Sequence, residues 1–242
     1  MEKIFLPNSK NFIELNFIDS KKRALEVIVP GGGYDHTSIR ESGFVRDAFE
    51  AEGYHTLVLK YREEISAYPN PLIDLMWSID YARKSSLVSK IIAIGFSAGA
   101  HLVGLVSNNY MNYKEYNARP DLDILCYPVI SQNKDYSHNG SFKNLLGDNN
   151  IPADIAQGCH KDFPPTFMWH TADDESVSVY NSLDMVYALK RNNIKFEYHI
   201  FPSGVHGLSL ATKASAMDDL RKYNPYVSRW FKMVLEFINN TL

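Results

Sequence analysis

The stretch Ile91–Val106 reads IIAIGFSAGAHLVGLV. Four apolar residues, three of them β-branched, lead into Gly95-Phe96-Ser97-Ala98-Gly99, and a helix-like run continues from Ala98 to Ser107. The run falls short of the ~20 residues a membrane span needs. It also carries Ser97, His101 and three glycines, so it reads as a buried strand, a tight turn and a buried helix. The turn has the form G-x-S-x-G. A serine on a sharp strand-to-helix turn has a strained backbone that lifts its hydroxyl clear of the sheet. Neighbouring backbone segments crowd together there, so the residues two before and two after must be small. Ala98 would present its N–H at the helix start, where the helix dipole also favours an oxyanion.

Working outward, strand-like and helix-like patterns alternate. Residues 12–18 (FIELNFI) alternate as an antiparallel strand does. Further strands are expected over Leu25–Val29, Thr56–Leu59, Leu122–Tyr127, Thr166–Trp169 and Phe196–Phe201. Helices are expected over about Gly43–Glu52 and from Asn70-Pro71 onward, with Asn70 as N-cap and Leu72, Leu75, Met76 and Ile79 at helical spacing. Two more are marked by Val179, Leu183, Val186 and Leu189, and by Val227, Trp230, Phe231, Val234 and Ile238. Nearly continuous apolar strands are buried on both faces, which predicts an α/β fold with a mostly parallel sheet between helical layers. In such sheets ligands sit beyond the carboxyl ends of the strands, so functional residues should directly follow strands.

The 242 residues are 45% hydrophobic and 22% charged, and 25 basic against 28 acidic residues leave a net charge of −3. This excludes a disordered or collagen-like chain, and no basic stripe points to nucleic acid. No Pro/Gly/Ser linker or repeat divides the chain, so a single domain over 1–242 is expected, with residues 131–161 as a small polar lid or cap. The apolar run Ile4–Leu6 before Pro7 is too short for a signal-peptide core, and a cytoplasmic location with no membrane partner is expected. Cys126 and Cys159 read as a reduced pair, with one disulfide as the alternative. The histidines show no H-E-x-x-H spacing and there is no C-x-x-C, so neither a metal nor a cofactor is expected.

Three further segments bear chemistry. Gly31-Gly32-Gly33 follows the second strand, and consecutive glycines let backbone N–H groups approach a ligand without side-chain interference. Neither G-x-G-x-x-G nor a phosphate-loop pattern is present, so these glycines are assigned with Ala98 to an oxyanion hole. Asp173-Asp174 and His206 each lie on a loop after a strand. The order Ser97, Asp174, His206 is the serine–acid–histidine order of the α/β-hydrolase arrangement. Histidine takes the serine proton, and the carboxylate orients the imidazole and stabilises its cation. His101, four residues past Ser97, reads as a packed, hydrogen-bonded side chain, and His170 as a structural neighbour of the acid loop.

Together these segments resemble the α/β-hydrolase superfamily. More narrowly the chain resembles the small bacterial acetylesterases and carboxylesterases of the acetyl-xylan esterase or BD-FAE-like group, through VIVPGGGY (Val27–Tyr34), IGFSAGAHL (Ile94–Leu102), CYPVI (Cys126–Ile130), PPTFMWHTADDESVSVYNSL (Pro164–Leu183) and FPSGVHGLSLA (Phe201–Ala211). Pro30 stands where related loops often carry a histidine before the glycines. The resemblance implies that Gly32 and Gly33 supply oxyanion N–H groups. It also selects Asp174, three residues before Val177, over Asp173, which would cap the turn or the helix that follows; Ser178 replaces the usual proline of that loop. It further implies a serine esterase acting on short acyl, acetyl-type esters, with acetylated carbohydrates among the candidate substrates. An amide hydrolase with the same triad and a catalytically silent binding protein are the alternatives. The sequence leaves the oligomeric state, monomer or homodimer, open.

Overall fold

A computed structural model describes residues 1–64, 67–149 and 151–242. Eight strands form one sheet: β1 (Glu2–Phe5), β2 (Phe12–Asn16), β3 (Arg23–Val29), β4 (His55–Lys60), β5 (Val88–Phe96), β6 (Leu122–Cys126), β7 (Thr166–Thr171) and β8 (Phe196–Phe201). Their spatial order is β1-β2-β4-β3-β5-β6-β7-β8. β1 and β2 are antiparallel additions at one edge, and β4 through β8 run parallel. The nucleophile strand β5 is central, with β3 and β6 beside it.

Side chains leave the sheet with period two and enter two separate cores. Val27, Val29, Leu57, Leu59, Ile91, Ala93, Leu125 and Met168 face α2 (Asn70–Arg83), α3 (Ala98–Asn109) and α6 (Tyr180–Arg191). Ile28, Val58, Ile92, Ile94, Ile124 and Phe167 face α1 (Gly43–Ala51) and the last helix (Trp230–Asn239). Each fully buried Val, Leu or Ile contributes about 1.5–3 kcal/mol, so the two cores hold the sheet rigid beneath its carboxyl edge.

The structure corrects several boundaries. β1 was not expected; it is a four-residue, largely exposed edge strand, too short and too wet to show a period in sequence. β2 stops at Asn16 rather than residue 18. α2 begins at Asn70 itself: Pro69 takes the cap position and Asn70 makes no capping hydrogen bond. The segment 131–161 carries α4 (Asn139–Leu146) and α5 (Ile155–Gly158), whose Phe142, Leu145, Leu146 and Ile155 are buried in the α2–α3 core. Asn150 of that segment lies outside the described residues. Cys126 and Cys159 are both buried and unpaired. Among the described residues no helix is long and apolar enough to cross a membrane.

Candidate active site

Ser97 sits between β5 and α3 with φ 53° and ψ −118°, a conformation a non-glycine residue holds at a cost of about 1–3 kcal/mol. Three backbone hydrogen bonds over-determine it. Its N–H donates to the Cys126 carbonyl at 3.0 Å, and its own carbonyl accepts from the N–H groups of His101 and Val129, both at 3.2 Å. The small residues around it are a packing requirement. A Cβ on Gly95 would strike the Gly99 carbonyl, and one on Gly99 would strike the carbonyl oxygens of Val29 and Pro30 at the end of β3.

His206, on the loop after β8, brings Nε2 to 2.9 Å from Ser97 Oγ, and its Nδ1 lies 2.7 Å from Asp174 Oδ2. A carboxylate can only accept, so the proton of a neutral His206 resides on Nδ1. That leaves Nε2 as the acceptor for the Ser97 hydroxyl. Asp174 Oδ1 accepts from the N–H groups of Ser176 (2.9 Å) and Val177 (3.0 Å). Buried His170 donates Nε2–H to the Val177 carbonyl at 3.0 Å and lies 3.4 Å from Asp174 Oδ2. Burial pushes the Asp174 carboxyl up, but the hydrogen bonds from His170 and His206, the His206 charge and the Val177 N–H outweigh it. The group is held well below the usual carboxylate range.

Asp173 caps neither the turn nor a helix, contrary to expectation. Its carboxylate accepts from Ser203 Oγ at 2.6 Å and Gly204 N–H at 2.8 Å, tying the acid loop to the histidine loop. Successive residues of the turn diverge, so one carboxylate faces His206 and the next faces the neighbouring loop. His101 is buried between Tyr34 Oη (2.8 Å, to Nδ1) and the Ala153 carbonyl (2.7 Å, to Nε2), and burial pushes its pKa down to about 4.

In the glycine loop the carbonyls are spoken for. Gly31 O accepts from Ser38 N–H (2.9 Å), Gly32 O from Asp35 N–H (2.9 Å) and Gly33 O from Asn144 Nδ2 of α4 (2.8 Å). In a trans peptide the N–H opposes the carbonyl of the preceding residue. With Gly31 O and Gly32 O turned toward Ser38 and Asp35, the N–H groups of Gly32 and Gly33 face the opposite way. Among the described residues, neither these two N–H groups nor that of Ala98 meets a protein acceptor. Gly32 and Gly33 have φ values of +128° and +62°, the first out of reach of most side-chain-bearing residues.

Sequence reasoning missed Glu41, Tyr127 and Lys222. Glu41 lies in a polar loop with no local pattern, yet it is buried against Gly31 and Tyr127. Lys222 donates to the carbonyls of His206 (2.8 Å) and Gly207 (3.2 Å). Beside His206 opens a cavity of about 560 Å³ whose walls include Glu175, Ser176, Arg221, Lys222 and Asn224.

A family model, the prolyl oligopeptidase family, matches residues 66–234. The chain belongs to this family. It has the α/β-hydrolase fold that its structural relatives share. It is 34% identical to the acetyl ester-xyloside bifunctional hydrolase of Caldicellulosiruptor lactoaceticus, with a TM-score of 0.80 over 96% of both chains. It is 31% identical to endo-1,4-beta-xylanase B of Butyrivibrio fibrisolvens and 29% identical to an acetylxylan esterase of Xylanibacter ruminicola, over 86% and 85% of its length. It spans only 35% and 45% of those two proteins.

Proposed function

We propose that the chain is a serine carboxylesterase that removes short acyl groups, acetyl foremost, from polyhydroxylated alcohols such as sugars. The reading rests on the hydrogen-bonded chain Ser97 Oγ–His206 Nε2, His206 Nδ1–Asp174 Oδ2, at 2.9 and 2.7 Å, built on a serine with positive φ. Ser97 attacks the ester carbonyl as His206 takes its proton. Asp174 holds the imidazole in the required tautomer and stabilises its cation. The N–H groups of Gly32, Gly33 and Ala98 receive the developing oxyanion; preformed donors of this kind contribute roughly 10²–10³-fold each in kcat. His206 then returns the proton to the leaving alcohol, and water repeats the sequence on the acyl-enzyme. No cofactor is required.

The leaving oxygen takes its proton from His206, so the alcohol departs on the His206 side. The cavity there is walled by carboxylate, hydroxyl, amide and cationic side chains. Such a wall suits a polyol better than an alkyl chain. Two relatives named for acetylated xylan or acetyl esters support the same substrate class. The family's peptidase name keeps amide hydrolysis as a second reading, since both reactions use one oxyanion chemistry.

The deciding experiment treats the purified chain with a fluorophosphonate probe and screens acetyl, butyryl, octanoyl and amide substrates. Labelling at Ser97, its loss in Ser97→Ala, and a kcat/KM preference for acetyl over octanoyl esters are expected. Ser97→Ala should lower kcat by ~10⁴–10⁶-fold with the fold intact. An unlabelled Ser97 would make the chain a silent binding protein, and faster amide turnover would move it to the peptidases.

A further inference from the structure

We infer that the Glu41 carboxylate, with Tyr127, is a positioning device that locks the glycine loop to the histidine loop and so sets the oxyanion N–H groups against Ser97. The inference rests on the esterase reading and adds two residues to it.

Glu41 is 3% exposed and belongs to the loop between β3 and α1. Its two carboxylate oxygens serve two different segments. Oε2 accepts from the Gly31 N–H at 2.8 Å, and Oε1 accepts from the Tyr127 hydroxyl at 2.6 Å. Tyr127 follows β6 directly, one residue past the Cys126 carbonyl that holds the Ser97 N–H. Its hydroxyl accepts in turn from the Ser209 N–H at 2.9 Å, and Ser209 Oγ donates to the Arg40 carbonyl at 2.6 Å. The Tyr127 ring meets the His206 ring edge-on, with centroids 5.0 Å apart and planes at 72°. One closed circuit therefore joins the glycine loop, Glu41, the end of β6 and the loop that carries His206.

The circuit has a directional consequence. Fixing the Gly31 N–H on Glu41, and the Gly31 carbonyl on Ser38, leaves the following peptide no freedom to flip. The Gly32 N–H is then held opposite Ser38 before any substrate arrives. Donors preorganised in this way act on the charged intermediate without reorganising during the reaction. Neither Glu41 nor Tyr127 need touch the substrate; both act through the loops they join.

In this circuit both partners donate to the carboxylate. Glu41→Gln keeps one oxygen to accept from the Gly31 N–H, but its NH2 can meet the Tyr127 hydroxyl only by donating, which reverses that bond and leaves the buried tyrosine proton without its acceptor, with little change in shape. Tyr127→Phe removes a single oxygen atom from the same circuit. In the 242-residue chain, both variants are compared with the wild type by the rate of fluorophosphonate labelling at Ser97. They are also compared by kcat/KM for p-nitrophenyl acetate, affinity for a trifluoromethyl ketone that forms a tetrahedral adduct, and Tm. We expect labelling rate, kcat/KM and ketone affinity to fall together by roughly 10- to 100-fold, below the cost of deleting an oxyanion donor outright. The double variant should be no worse than the weaker single, because the two residues form one unit.

Well-folded variants that label within about twofold of the wild type would overturn the inference. So would a loss that vanishes at temperatures well below each Tm, or one confined to KM with ketone affinity unchanged. If Glu41→Gln does not fold, Tyr127→Phe decides alone. A wild type that does not label at all is a different outcome: it removes the nucleophile reading itself.

Discussion

Asp173 and Asp174 share a turn, and the chain assigns them opposite tasks. Asp174 Oδ2 faces His206, while Asp173 reaches across to Ser203 and Gly204. Replacing Asp174 with Asn keeps the shape but offers a donor where an acceptor is needed, so the imidazole is held in the wrong tautomer. In a serine protease of another fold that change costs ~10⁴-fold in kcat. Asp174→Asn is therefore expected to be folded and nearly inactive. Asp173→Ala loses two hydrogen bonds at an exposed site, each with a net worth of about 0.5–1.5 kcal/mol. It should lower Tm by a few degrees and kcat by less than tenfold. Rate and melting measurements on the two variants check this, and the reverse pattern would move the acid to Asp173. In the sequence, Asp174 is preferred through the family resemblance, by its D-x-x-V spacing to Val177. The bond from Asp173 to the histidine loop was not legible, because its partners lie 30 and 31 residues away.

At the scale of elements, the strand–elbow–helix unit is the most tightly constrained part of the molecule. α3 approaches β3 so closely that a Cβ on Gly99 would meet the Pro30 carbonyl oxygen at 2.6 Å, and the neighbouring Val29 carbonyl oxygen more closely still. Backbone atoms cannot rotate out of the way. Gly99→Ala must push α3 off the sheet, and the Ser97 turn moves with it. Overpacking of this kind typically costs about 1–3 kcal/mol. The expected result is a lowered Tm together with loss of Ser97 labelling, measured by calorimetry and the fluorophosphonate probe. Gly147→Ala serves as the comparison: its Cβ meets nothing within 4 Å although its φ is +58°, so it should cost stability alone. The segment 131–161 is a contrasting case. Its polar composition reads as a small lid or cap, and Phe142, Leu145 and Leu146, recurring at helical spacing, anchor α4 in the core. From there Asn144 reaches the Gly33 carbonyl, so α4 buttresses the glycine loop.

Across the whole molecule, burial of acids on the sheet couples stability to pH. Asp123 on β6 is fully buried; its Oδ2 accepts from Ser107 Oγ at 2.6 Å, and among the described residues its Oδ1 has no hydrogen-bond partner. Burial pushes its pKa up to about 8. An unfolded aspartate titrates near 3.9. Between these values the native state holds a proton that the unfolded state has lost, so this group's contribution is complete below pH ~4. It declines as pH rises to about 8, at no more than ~1.4 kcal/mol per pH unit. Asp174 and His101 act in the opposite sense on acidification, since their folded pKa values are lowered. Asp123→Asn isolates the one group: it keeps an acceptor for Ser107 and never ionises. Its Tm relative to the wild type should rise steadily from pH 5 to pH 8, as followed by thermal melts in matched salt. A difference independent of pH would show that Asp123 does not carry the shifted proton.

Local order determined the parts of this protein that are read within one turn or one strand. The G-x-S-x-G elbow, the two-faced apolar strands and the glycine run are all short-range patterns, since each expresses a periodicity or a backbone requirement of neighbouring residues. Tertiary structure decided what depends on separate strands ending side by side. Parallel order along the sheet sets β3, β5, β6, β7 and β8 next to one another in a row. Only then do Gly31, Ser97, Tyr127, Asp174 and His206 share one edge, and only then does Glu41 find both of its donors. Hydrogen bonds between residues 86 and 109 positions apart, as in Glu41–Tyr127 and Ser97–His206, leave no trace in local composition. They exist because the buried cores fix the strand ends within hydrogen-bonding reach.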